Sequence, residues 1–274
     1  MGTSSSGKIL MKVAIIGRGR VATHMGKALL KAGHQFVSVN SRTLEELPTD
    51  ADVYIIAVKD SALQEVIGKV TNHGDRLFDV NSFNQKPVPV IDEPVIVHTA
   101  GSMPLSVFDG YTRNGGVLYP MQTFSMDREV DFREIPLFIE GNDARIRQLA
   151  ESISNHVYEL STADRKYLHL AAVFACNFAN HCYTLAADVL AKKGLPFDVM
   201  LPLVDETARK VHELHPRDAQ TGPAVRGDQN VMQAQAALLE GKAKEIYELL
   251  SQSIQEHQKQ YDQLRLTEDT RHRV

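Results

Sequence analysis

The apolar run Lys12–Ile16 (KVAII) passes directly into Gly17-Arg18-Gly19-Arg20-Val21-Ala22, and Val21–Lys31 (VATHMGKALLK) follows with helical spacing. A buried-strand run, a GxGxxA turn and a helix in that order leave few folds open to a chain. Gly17 permits the tight turn, and Gly19 lets backbone approach a phosphate. Ala22 and Gly26 let the helix lie close on the sheet, while its first free N–H groups face an anion. A strand–helix turn that binds nothing can carry the same small residues. The strand before, the helix after and a second strand ending on schedule favour a dinucleotide site, with Arg18, Arg20 and Val21 among the cofactor contacts.

The alternation continues downstream. Gln35–Val39, Val53–Val58, Leu77–Val80 and Val95–His98 read as strands, and a helix capped by Asp60 or Ser61 runs through Leu63, Val66 and Ile67. Val117–Tyr119 and Leu137–Ile139 are shorter strand candidates, and 144–154 is a helix. Asn81–Pro94, with three prolines, reads as a loop or an edge. Past Glu159 the strand signals stop. Ser161, Thr162 and Asp164 start a long helix over 164–192, and 197–214, 228–239 and 242–264 follow as helices. The stretch 216–227 reads as a loop, and the tail from Thr267 as frayed.

The expected fold is therefore an α/β domain with a mostly parallel, doubly wound sheet over 11–160, then an all-helical domain over 161–274. Residues 1–10 read as a disordered leader or a cloning remnant. A net charge of −4 excludes a broadly basic nucleic-acid binder, and no apolar run nears the ~20 residues that span a bilayer. Cys176 and Cys182, six apart on one helix, point in different directions and cannot pair within it. Two thiols suit a reducing compartment, so the cytoplasm is expected.

The end of the second strand indicates which dinucleotide. An NAD site usually places an acid about 20 residues past the loop, on the ribose. Here the run is Val39-Asn40-Ser41-Arg42-Thr43, without one. Arg42, helped by the hydroxyls of Ser41 and Thr43 and by Arg18 or Arg20, suits a 2′-phosphate and hence NADP, with Asn40 among the cofactor contacts. The alternative is a solvated loop arginine. Val58, closing the third strand, is placed against the same cofactor.

Ligands in open α/β sheets bind beyond the carboxyl ends of the strands. His98 and Ser102 in His98-Thr99-Ala100-Gly101-Ser102 are expected to point into that crevice as catalytic candidates. Tyr119 and Gln122 in Tyr119–Thr123 are candidate substrate contacts. On the long helix Leu168, Ala171, Ala172, Phe174, Ala175 and Phe178 share an apolar face. His169, Cys176, Asn177, Asn180, His181 and Thr184 lie on the other side. Amides and imidazoles there suit a cleft or interface, or satisfied polar groups between helices. His169 is the acid/base candidate, and Asn177 and Asn180 are positioned to meet substrate. Arg226 and Asp228 either reach the substrate cleft, where Arg226 holds an acidic substrate, or form a structural pair at a helix start. His212 and His215 lie three apart with Pro216 following at once, so no metal is expected. Neither a GxSxG elbow nor a GxxxxGK[ST] loop occurs.

With these residues in view, the chain resembles the Rossmann-plus-helical-domain reductases: pyrroline carboxylate reductase, the β-hydroxyacid and phosphogluconate dehydrogenases, and deazaflavin-dependent NADP oxidoreductase. More closely, it resembles a bacterial branch of Rossmann-like NADP oxidoreductases whose C-terminal half is a domain of unknown function. HTAGS (98–102), GVLYPMQTFS (116–125), LHLAAVFACNFANH (168–181) and TGPAVRGD (221–228) carry the resemblance, which extends from about residue 12 to 265. It implies NADP at Gly17–Ala22 and Asn40–Thr43, a homodimer through the helical domain, and a small-molecule substrate in a cleft between domains. Many β-hydroxyacid dehydrogenases carry a Lys four residues before an Asn on the corresponding helix. Asn177 matches the Asn, but Val173 stands at the Lys position, so their proton donor is missing and His169 or His98 is left as its substitute. Two functions remain open: hydride transfer between NADP(H) and a small carbonyl, imine or hydroxy acid, or NADP binding without chemistry, as a sensor or interaction module.

Overall fold

The computed structural model describes residues 10–72 and 93–271, with side chains to residue 263. The leader, the expected strand at 77–80 and most of the proline-rich stretch lie outside the described residues. The chain divides into two compact units, the first ending at Phe178 and the second beginning at Ala179.

The first unit is built on a seven-stranded sheet. Its elements are β1 (Lys12–Ile16), α1 (Arg20–Ala32), β2 (Gln35–Val39), β3 (Val53–Ile56), α2 (Asp60–Thr71), β4 (Val95–His98), β5 (Gly115–Pro120), β6 (Leu137–Glu140), α3 (Ala144–Ile153), β7 (Val157–Glu159) and α4 (Thr162–Ala172). The strand order is β2-β1-β3-β4-β5-β6-β7. Every pairing is parallel except β5 with β6. β3 and β4 are buried along their whole length, and this is why they read as unbroken apolar runs. Alternate side chains feed two cores. Val13 and Ile15 pack with Met25, Leu29 and Leu149 on one face. Ala14 and Ile16 pack with Leu63 and Ile67 on the other.

Helix ends follow their local chemistry. Gly33 closes α1 at φ 92°, in the left-handed region that glycine enters freely. Asp143 caps α3, its side chain accepting from Arg145 N–H. Ser161 caps α4 by accepting from Asp164 N–H. After α4, Val173–Phe178 is π-helical and ends this unit.

The second unit is all-helical: α5 (Ala179–Ala191), α6 (Leu201–Glu213), α7 (Pro216–Ala219), α8 (Pro223–Arg226), α9 (Gln229–Ala236) and α10 (Gly241–Arg271). Its buried apolar residues, among those described, are Ala224, Met232 and Ala236. Val199, Leu203, Leu238 and Leu249 are more than half exposed. No described helix is long and apolar enough to cross a membrane.

Several expectations need correction. β7 lies where the sequence suggests no element, since three residues with one half-buried side chain leave almost no pattern. β3 stops at Ile56 rather than Val58, because α2 already begins at Asp60. The expected loop at 216–227 holds two single-turn helices, each with a proline at its start. The tail expected to fray from Thr267 is helical to Arg271. The apolar face of the long helix does not coincide with burial, for Phe174 and Phe178 are 64% and 50% exposed and pack edge-on against each other.

Candidate functional site

The glycine turn after β1 is fixed by two contacts and leaves one side open. Gly17 sits at φ 131°, and its N–H donates to the Val39 carbonyl at 2.9 Å. A Cβ on Gly17 would lie 2.3 Å from the Ala57 carbonyl oxygen, so backbone of the neighbouring strand end excludes any side chain there. A Cβ on Gly19 would meet nothing within 4 Å. Gly19 is the N-cap of α1, with no side-chain cap and no acid in the first turn. The helix start thus offers unpaired N–H groups, exposed Arg18 and Arg20, and open space in front of them. Ala22 is buried and Val21 half-buried. A Cβ on Gly26 would lie 2.8 Å from the Phe36 ring, which fixes how closely α1 packs on β2. These residues fit a dinucleotide phosphate.

The turn after β2 lies on the same side of the sheet, at the strands' carboxyl ends. Asn40 Oδ1 accepts from Arg42 N–H at 3.0 Å, and Thr43 Oγ1 accepts from Glu45 N–H at 3.5 Å. Ser41 is half-buried. The Arg42 guanidinium is exposed and makes no ion pair among the described residues. Arg42 and Thr43 line a cavity of about 590 Å³ with Gln64, Gly68 and Tyr111 of the α2 side. Val58, half-buried, packs against the core cluster beneath α2.

A second cavity of about 590 Å³ holds the reactive groups. Arg20 and Val21 at the start of α1 form one part of its wall; Tyr119, Met121, Gln122, Thr123 and Phe124 follow β5; Leu168, His169, Val173, Cys176 and Asn177 come from α4 and the π-helical turn. Tyr119 and His169 meet there, the phenol oxygen 3.2 Å from His169 Nδ1 and the rings edge-to-face at 5.9 Å. Tyr119 is 9% exposed, and burial raises its phenol above the ordinary value against a smaller opposing effect of the Arg165 charge. A Cβ on Gly101 would lie 2.7 Å from His169 Nδ1 and 2.8 Å from Tyr119 Cζ, so only glycine leaves room for this pair.

The orientation of α4 is set by Arg165, one turn before His169 and almost fully buried. Its Nη1 donates to Glu140 Oε2 on β6, and its Nη2 donates to the Met103 carbonyl at 2.6 Å. Thr162 adds two bonds to the same carboxylate, through N–H at 2.9 Å and Oγ1 at 2.7 Å. Burial alone would raise the Glu140 carboxyl. The hydrogen bonds from Arg165 and Thr162, with the guanidinium charge, outweigh it and hold the group below its ordinary value.

The structure redistributes the remaining candidates. His98 does not reach the crevice. It is fully buried, stacks on Phe108 at 5.7 Å, and its Nδ1 accepts from Ala100 N–H at 3.2 Å. Burial, reinforced by the Arg165 charge, pushes its imidazole down to about 4, which removes it from acid/base work on a substrate. Ser102 Oγ donates to Asp60 Oδ2 at the start of α2. Asn180 is exposed on α5 in the second unit. There Arg226 Nε donates to Asp228 Oδ2 at 2.9 Å, the structural pairing at the start of α9. Nδ1 of His215 accepts from Arg217 N–H and caps α7. Among the described residues no three His, Cys, Asp or Glu side chains converge as metal ligands. Sequence reasoning missed Arg165, Glu140 and Gly101. An arginine three residues before Leu168, on the apolar stripe of its helix, was the available signal for the first.

The domain family described as "Domain of unknown function (DUF2520)" matches residues 135–254. A Bacteroides fragilis protein described as a "putative NADP oxidoreductase" is similar over 90% of this chain and 98% of its own, at 43% identity and a TM-score of 0.80. An imine reductase from Myxococcus stipitatus in complex with NADP+ shares 13% identity over 92% of this chain and 94% of its own, with a TM-score of 0.59. A reductive aminase from Aspergillus terreus in complex with NADPH and ethyl-5-oxohexanoate shares 12% identity over 89% and 93%, with a TM-score of 0.60. At those identities the last two show the fold alone. No curated protein matches the chain.

Proposed function

The chain belongs to the Rossmann-like NADP oxidoreductase family that carries DUF2520 in its C-terminal half, and from that premise we propose that it transfers hydride between NADP(H) and a small carbonyl, imine or hydroxy-acid substrate. One observation carries the reading: a single cavity has the start of the phosphate-binding helix, Arg20 and Val21, in its wall together with Tyr119 and His169. Gly17, Gly19 and the first turn of α1 hold the pyrophosphate, and Arg42 with Ser41 and Thr43 holds the 2′-phosphate. Bound there, the reduced cofactor supplies a hydride. His169 acts on the substrate heteroatom, while Asn177 and Gln122 orient the substrate and the apolar wall excludes water. The reading includes a homodimer through the helical unit, supported by its exposed leucines and valines. It also includes a cytoplasmic setting, which two free cysteines suit.

Calorimetric titration tests the cofactor. NADPH is expected to bind tighter than NADH, and Arg42→Ala to weaken NADPH about tenfold or more while sparing NADH. Binding of neither nucleotide removes the reading. A second function, NADP binding without turnover, is favoured by Val173, which places an apolar side chain in the cavity wall. Tight NADPH binding with no turnover across carbonyl, imine and hydroxy-acid panels selects it.

A further inference from the structure

Resting on the reading above, we infer that Tyr119 fixes the neutral tautomer of His169, so that the imidazole Nε2–H is the proton donor to the carbonyl oxygen of an uncharged, apolar ketone or aldehyde. A neutral imidazole has one donor and one acceptor nitrogen, and the partner of one decides the state of the other. The only hydrogen bond of the His169 ring among the described residues joins Nδ1 to the Tyr119 hydroxyl. Among the described residues Nδ1 is also the one hydrogen-bond partner of the Tyr119 hydroxyl, so this buried O–H has no other acceptor and enters the bond as donor. Nδ1 then accepts, and the proton sits on Nε2.

Three features show that the pair is built. Gly101 is the one residue type that clears both rings, a Cβ there falling within 2.8 Å of each. Arg165 ties α4 to Glu140 on β6, the strand beside the one that carries Tyr119. Tyr119 is only 9% exposed, so little solvent competes for the bond to Nδ1.

The surroundings of His169 select the substrate. Among the described residues no carboxylate lines the cavity, Arg20 brings a positive charge to its wall, and Met121, Phe124, Leu168 and Val173 supply apolar surface. Among the described residues a preformed iminium cation finds no counter-charge here, whereas oxygen that gains negative charge finds an N–H donor beside apolar wall. When the carbonyl carbon takes up the hydride with its electron pair, the carbon–oxygen π pair moves onto oxygen. That oxygen takes the Nε2 proton as the phenol proton passes to Nδ1. The product is an alcohol, Tyr119 is left as phenolate, and one proton from water restores it. An alkoxide is a stronger base than a phenolate, so the relay runs downhill.

Long-range proton–nitrogen NMR on 15N-labelled protein reads the tautomer directly, the His169 signals being those lost in His169→Gln. The expected pattern at neutral pH is a protonated Nε2 and an unprotonated Nδ1, giving way to a tautomer mixture in Tyr119→Phe and in Gly101→Ala. An Nδ1–H tautomer, an imidazolium, or a tautomer unchanged in both variants overturns the inference. NADPH titration of the same sample separates the two levels: failure to bind overturns the oxidoreductase reading, whereas binding with the wrong tautomer overturns the present inference alone. With cyclohexanone and 1-pyrroline as probes and NADPH as reductant, the ketone is expected to turn over faster, and its rate to fall about 100-fold in Tyr119→Phe. Preference for the imine overturns the substrate assignment.

Discussion

Gly17 and Gly19 stand two residues apart and carry opposite requirements. Gly17 combines φ 131° with a neighbouring carbonyl oxygen 2.3 Å from any added Cβ. Gly17→Ala therefore costs about 1–3 kcal/mol in backbone conformation alone, with the clash in addition. Gly19 has φ −81°, which alanine adopts without strain, and open space around it. Gly19→Ala should leave the thermal midpoint within a few degrees while NADPH affinity falls sharply, because the methyl occupies the approach of the pyrophosphate. Thermal unfolding and calorimetry on the two variants check this. Equal loss of stability in both would contradict the division of labour. The same scale separates the two histidines expected to face the substrate. His98 is neutral because it is buried between strands, and His169 is available because its helix stands at the cavity edge.

At the level of elements, the device that matters is the clamp between α4 and β6. Arg165 is a charge removed from water, and it is tolerated because Glu140 and the Met103 carbonyl surround it. Arg165→Met strands the Glu140 carboxylate and is expected to cost about 3–5 kcal/mol in urea unfolding. Glu140→Met in the same background should recover part of that loss, since removing both charges restores pairing balance. No recovery in the double variant would show that the pair does not act as a unit. This contrast explains what the sequence made legible. Strands β1, β3 and β4 and helices α1 and α3 announce themselves through apolar runs, caps and spacing within a dozen residues. β7 is too short to hold a pattern. Tyr119 and His169 were each recognisable as polar groups at an expected crevice, yet they lie 50 residues apart and nothing local links them. The direction of His98 was unreadable for another reason: a strand buried on both faces has no polar side from which to count.

For the whole molecule, the second unit poses a problem of stability. Helices in water are held chiefly by burying one face, and the buried apolar side chains of this unit, among its described residues, are Ala224, Met232 and Ala236. Leu238 and Leu249, by contrast, are 71% and 67% exposed, with Val199 and Leu203 close behind. The proposed homodimer would cover these side chains with the same residues on both sides. Light scattering should then give about twice the chain mass at micromolar concentration. The unfolding midpoint should rise with protein concentration, because folding and association share one equilibrium. Leu249→Glu places a charge on the exposed apolar surface of α10 and is expected to give monomer with a lowered midpoint, while NADPH binding in the first unit survives. A monomer of wild-type mass, with a midpoint independent of concentration, would leave those leucines to some other partner and remove the dimer from the reading.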